Sequence, residues 1–177
     1  AVHTLMPFAP FLWPCWGALA LLRVGESCQL TPDLYGLGFT WLMAALAPVI
    51  GQSTFPVHFT YLLVALAAVG AMLWLLWRRT RNPVVLAFVG LDPLIAVSVV
   101  NGGHPDALVA LGVLAGVLLA IECRPVPAGV AIAFAASVNF TALVAAAVLC
   151  VWAYRRWSRP EVAKFAAIVG VVGVLPY

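Results

Sequence analysis

The groups in this chain that could do chemistry are two short polar stretches set among hydrocarbon side chains. Leu91-Asp92-Pro93-Leu94 lies inside an apolar run, and Asn101-Gly102-Gly103-His104-Pro105-Asp106-Ala107-Leu108 joins that run to the next. A carboxylate in such a loop can take a proton from a hydroxyl or bind a cation. An imidazole two residues away can hold a phosphate or orient the carboxylate. Gly102 and Gly103 permit close backbone approach to a ligand. The same residues also have a purely structural reading, with Asp106 capping the next helix and Pro105 in its first turn.

A second group follows. Ser137-Val138-Asn139-Phe140-Thr141 interrupts a later apolar run. Asn139 and Thr141 could bind a sugar hydroxyl or a phosphate, or satisfy backbone groups freed at a helix break. Asp92 lies mid-run, where an ionised carboxylate is unfavourable by about a few kcal/mol unless paired or wet. Pro93 after it cannot donate a backbone hydrogen bond and is expected to kink the helix. Asp33, close to Tyr35, and Glu26 are the other acids expected near the same face. Glu122 and Arg124 read as an ordinary ion pair at a helix end.

The elements that must position these groups are apolar. Of 177 residues, 65% are hydrophobic and 8% are charged. Soluble domains carry about a quarter charged residues, so the composition describes a polytopic membrane protein and excludes a water-soluble globule. No basic stripe interleaved with aromatics suggests nucleic-acid binding. Cys15, Cys28, Cys123 and Cys150 show no Cys-x-x-Cys or Cys/His spacing, so neither a disulfide framework nor a metal site is expected. Both ends read as cut, because the chain starts at Ala1 and stops at Pro176-Tyr177 inside an apolar run.

Residues 57–77 form an apolar run of 21 residues, about 31 Å as a helix, the thickness of a hydrocarbon core. Residues 84–100 and 105–121 are shorter candidate spans. Residues 126–154 are too long for one upright helix, and the break at 137–141 makes them two short helices in a hairpin. Residues 162–177 begin a further span. With the hairpin, alternating spans bring Arg78, Arg79, Arg81, Arg124, Arg155, Arg156, Arg159 and Lys164 to one side, eight of the nine basic residues. The positive-inside rule makes that side the cytoplasm, and loops 101–106 and 137–141 then face the extracytoplasmic side. Before residue 57 the reading stays open. The stretch 5–22 carries Pro7, Pro10 and Pro14, and 36–51 suits either a span or an interfacial helix.

From about Thr31 to Lys164 the chain resembles the actinobacterial membrane mannosyltransferases that use polyprenyl-phosphate sugars, enzymes of the C-type glycosyltransferase fold. The resemblance rests on several stretches in order. They are Tyr35-Gly36-Leu37-Gly38-Phe39-Thr40, Asp92-Pro93-Leu94, Gly102-Gly103-His104-Pro105-Asp106-Ala107-Leu108, Arg124-Pro125-Val126-Pro127-Ala128-Gly129 and Ala135-Ala136-Ser137-Val138-Asn139-Phe140-Thr141-Ala142-Leu143. The chain departs from the family's pattern at Asp92, where the family has Asn, and at Pro105, again in place of Asn. At Asn139 the family has Lys, and residues 1–30 hold no match to its first outer loop, which carries an acid.

The resemblance implies an all-α, polytopic bundle with short broken helices. It would be a single domain over 1–177 and a piece of a longer protein, with an outer-face or juxtamembrane region at 1–56 and the helix bundle at 57–177. The implied activity is inverting transfer of a mannose-like sugar from a polyprenyl-phosphate donor to a glycan or glycolipid acceptor, at the outer face of the bacterial inner membrane and without a cofactor. Asp106, His104 and Asp33 are the expected catalytic candidates. Asn101, Gly102, Gly103, Asn139, Thr141 and Tyr35 are the expected substrate contacts. Two alternatives stand beside it: a permease or flippase built on Asp92-Pro93 and the hairpin, and an inactive relative or structural membrane subunit.

Overall fold

The computed structural model describes residues 36–50, 54–93, 95, 97 and 105–174. Among them every regular element is a helix. We label these α1 (Leu37–Ile50), α2 (Thr54–Thr80), α3 (Pro83–Gly90), α4 (Asp106–Ile121), α5 (Pro125–Val138), α6 (Ala142–Tyr154) and α7 (Arg159–Ile168). A six-residue π-helix, Val169–Val174, continues α7.

Local chemistry sets most boundaries. Asn82 opens α3 by accepting from Val84 N at 2.9 Å, and prolines occupy the first turns of α3, α5 and α7, where a missing N–H costs nothing. The carboxylate of Glu161 reaches back to the N–H and hydroxyl of Ser158, at 3.0 and 2.9 Å, holding the start of α7. The first turn of α4 differs from the expectation. Pro105 is the cap residue and Asp106 the first residue of the helix, so Asp106 favours the positive helix end without preceding it.

The expected continuous helix over 84–100 is also corrected. Helix α3 ends at Gly90, and Leu91 and Asp92 are not helical. The ring of Pro93 disfavours helical backbone at the residue before it, so the predicted kink becomes a break centred on half-buried Asp92.

Packing is closest between α4 and α5, which meet on small residues. Gly112, Gly116 and Ala120 on α4 are buried, and so are Ala128, Ile132 and Ala135 on α5. A Cβ at Gly112 would lie 2.9 Å from the Ala131 carbonyl oxygen, and one at Gly116 would lie 2.6 Å from Ile132 Cγ1. Only glycine lets these backbones approach so closely.

Two clusters mark the ends of the bundle. At one, Ala120, Ala128, Leu149 and Phe165 pack together, joining the end of α4, the start of α5, the end of α6 and α7. At the other, Ala135 and Ala136 meet Ala142, with Val109 and Val113 beside them. Helices α4, α5 and α6 therefore run up, down and up, and α5–α6 is the hairpin expected from the break at 137–141. A third cluster joins Ala65, Ala68, Val69 and Met72 of α2 to Ala107 of α4.

Among the described residues one helix, His58–Thr80, is long and apolar enough to cross a membrane. Asp106–Ile121, Pro125–Val138 and Ala142–Tyr154 are apolar but shorter.

Candidate functional site

The hairpin tip must end one helix and start another within three residues, and it satisfies its backbone locally. Asn139 leaves the helical region (φ −149°, ψ 126°), while its own N–H still bonds the Ala135 carbonyl at 3.0 Å. Its side-chain oxygen accepts from Thr141 N at 3.1 Å, and its carbonyl accepts from Ala142 N at 3.1 Å. One asparagine thus closes a turn that would otherwise leave backbone donors unpaired. Thr141 contributes its main chain to this turn.

Gly36 completes the tip from outside the hairpin. It is buried, and its N–H donates to the Val138 carbonyl at 2.8 Å, pairing an oxygen that the end of α5 leaves free. Two residues on, Gly38 sits so close to Ser137 that a Cβ would strike the Ser137 side chain and carbonyl. Phe39 then stacks on Tyr61 of α2, with ring centroids 5.9 Å apart. The Tyr35–Thr40 stretch was legible in the sequence; that Gly36 and Gly38 serve as the seat of the hairpin tip was not.

The amide of Asn139 also donates to Asp106 Oδ1, at 3.5 Å. This contact is long for a hydrogen bond but joins two side chains 33 residues apart. Asp106 is exposed and Asn139 half-buried. Two of the expected site residues therefore meet, at the end of the bundle where α4 begins and α5 ends. Thr141 lies in the same turn. His104, Asp33, Asn101, Gly102, Gly103 and Tyr35 lie outside the described residues. Asp92 sits at the α3 break.

Glu122 and Arg124 approach to 4.0 Å at the far end of α4. Among the described residues no group of three or more His, Cys, Asp or Glu side chains could hold a metal ion.

Residues 18–155 match the family model described as alpha-(1->6)-mannopyranosyltransferase, N-terminal domain. The matched stretch contains α1 to α6 and both partners of the Asp106–Asn139 contact. No curated protein and no solved structure matches the chain. The match spans most of the sequence, and with it the chain belongs to the alpha-(1->6)-mannopyranosyltransferase family, within the family's N-terminal domain.

Proposed function

We propose that this chain is part of a polytopic membrane mannosyltransferase of the C-type glycosyltransferase fold. It moves a mannose-like sugar from a polyprenyl-phosphate donor to a glycan or glycolipid acceptor at the extracytoplasmic face of the cell membrane. Residues 57–177 form the membrane bundle, and residues 1–56 contribute an outer-face or juxtamembrane region.

The distribution of side-chain size supports the membrane reading. The core is largely alanine and glycine, while Phe88, Val84 and Val144 are 82, 70 and 70% exposed. In water that surface would lose about 25 cal/mol per Å² of apolar area left uncovered. Against lipid tails it costs nothing, and small residues inside are what close helix contact in a bilayer requires. Most of the candidate span in α2 is left uncovered by the rest of the fold, unlike a soluble core helix. The three shorter helices of α4 to α6 fall below the thickness of about 30 Å. Local thinning of the bilayer accommodates such short elements, and it brings the membrane surface toward the hairpin tip.

The observation that carries the catalytic reading is the meeting of Asp106 and Asn139. In this mechanism the acceptor oxygen attacks the anomeric carbon of the donor as the bond from that carbon to the phosphate oxygen breaks. The bonding pair leaves with the polyprenyl phosphate. The acceptor proton passes to a carboxylate, for which Asp106 is the candidate, with His104 and Asp33 as further members of the site. An amide has two N–H donors. Asn139 can hold the carboxylate with one and offer the other to a departing phosphate oxygen, the place where negative charge grows. Asn101, Gly102, Gly103, Tyr35 and Thr141 complete the proposed substrate contacts.

The test is sugar transfer in membranes carrying the full-length protein, with radiolabelled polyprenyl-phosphate mannose as donor. Label is expected in a glycan or glycolipid product and is expected to disappear with Asp106→Ala. Transfer unchanged by both Asp106→Ala and His104→Ala would overturn the site assignment.

A further inference from the structure

The basic end of the bundle carries a repeated device that sugar transfer does not use. Arg78 lies over the ring of Trp74 at 4.8 Å, Arg81 over Trp77 at 5.5 Å, and Arg156 over Trp152 at 5.7 Å. In each pair the arginine follows the tryptophan by one helical turn, so the guanidinium folds back over the ring. Trp152 in turn meets Trp157 edge-on at 6.0 Å, and Trp157 meets buried Phe165 at 5.8 Å, which anchors that ring in the core.

All three pairs belong to one end of the molecule. Arg156 follows the end of α6, which shares a cluster with the end of α4 and the start of α5. Helix α2 begins near the hairpin tip, because Tyr61 stacks on Phe39, and Arg78 lies 17 residues further on, about 25 Å along the axis. That distance matches the length of α4, so Arg78 and Arg81 lie toward the basic end as well.

Eight of the nine basic residues gather there with two of the six acids, a local charge of +6 in a chain of +3 overall. Both acids are engaged, Glu122 with Arg124 and Glu161 with Ser158. Among the described residues none of the three stacked arginines lies within ion-pair distance of a carboxylate.

We propose that this end is a binding surface for the headgroups of anionic phospholipids, with Arg78, Arg81 and Arg156 as the phosphate-binding groups. Indole rings favour the region between hydrocarbon and water. A guanidinium laid on such a ring is held at the headgroup level, partly ordered before it binds, and its donor fork matches two phosphate oxygens. Positive charge beside an exposed apolar surface complements an anionic bilayer and not a soluble acidic partner. The inference rests on the membrane reading above and is independent of sugar transfer.

The experiment reconstitutes the full-length protein in bilayers of phosphatidylcholine alone and of equimolar phosphatidylcholine and phosphatidylglycerol. The lipids retained after mild detergent extraction are then quantified by mass spectrometry. Phosphatidylglycerol is expected to be enriched, with about a fivefold loss of preference for each stacked arginine changed to glutamine. Arg156→Gln alone serves if the triple variant fails to fold. Excess inorganic phosphate should leave the enrichment in place, and its complete loss would mark a free-phosphate site and overturn the proposal. Equal retention of both lipids by the wild-type protein would overturn it too, with the membrane reading intact. Failure to enter phosphatidylcholine bilayers at all would instead count against the membrane reading.

Discussion

Asn139 joins the hairpin tip to the start of α4: its amide nitrogen donates to the Asp106 carboxylate, and its amide oxygen accepts from Thr141 N. The same side chain is thus a structural cap and a neighbour of the candidate base. The structural and functional readings of Asn139 are compatible, and substitutions can separate them.

Asp106→Asn removes the proposed proton acceptor and keeps the size of the group. Sugar transfer by the full-length protein is expected to fall by about a hundredfold to ten-thousandfold, the usual contribution of a general base. Thermal unfolding should move little, since Asp106 is exposed. A variant with wild-type turnover would remove Asp106 from the mechanism.

Asn139→Ala and Asn139→Lys should part company. Both lose the oxygen that accepts from Thr141 N, at a cost of about 1 kcal/mol in stability. Lysine places a cation at the tip, where the proposed mechanism has the donor phosphate depart, so its turnover should exceed that of the alanine variant. Equal turnover in the two would mean that the tip does not meet the donor phosphate.

Glycine positions on two helices should respond in opposite ways. Gly112→Ala drives a methyl against the Ala131 backbone carbonyl, which cannot swing aside, and should destabilise the bundle by about 1–3 kcal/mol. Gly70→Ala meets nothing within 4 Å and should be neutral or stabilising by up to about 1 kcal/mol. Denaturation midpoints of the two variants in the same detergent decide it.

Cys123 holds a positive φ of 56° just after α4, a region that favours glycine. Cys123→Gly is expected to stabilise the protein by about 1 kcal/mol, read as a raised Tm. A lowered Tm would show that the exposed thiol makes a contact worth more than the backbone strain.

Glu161 links stability to pH. Its acceptance of the Ser158 backbone N–H, and then of the Ser158 hydroxyl, lowers its pKa below the ordinary glutamate value. A carboxyl with a depressed native pKa contributes stability above its unfolded pKa of about 4.3 and loses it as the pH falls through the lower native value. The Tm advantage of wild type over Glu161→Gln should therefore be full near neutrality and vanish in acid. An advantage independent of pH would mean that the cap acts without its charge.

What the residues alone determined was local. The apolar run 57–77 became the interior of α2, prolines opened α3, α5 and α7, and the polar break at 137–141 split one long run into two helices. Caps, prolines and span length act within a few residues, so they can be read along the chain. Asp92 shows the margin of that reading, since whether Pro93 kinks or breaks its helix depends on what packs around it.

The tertiary structure decided which residues meet. Helices apolar on every side offer no polar face to mark the outside, so the sorting of inside from outside follows size. Gly112 and Gly116 face Ala131 and Ile132 because only small groups permit that approach, and the stripe Gly112-x-x-x-Gly116-x-x-x-Ala120 is a signal in the sequence that the reading above did not use. The contact of Asp106 with Asn139, and the seating of Gly36 on Val138, come from closing α4, α5 and α6 against one another. Residues far apart in sequence acquire a common site only when that packing brings the helix ends together.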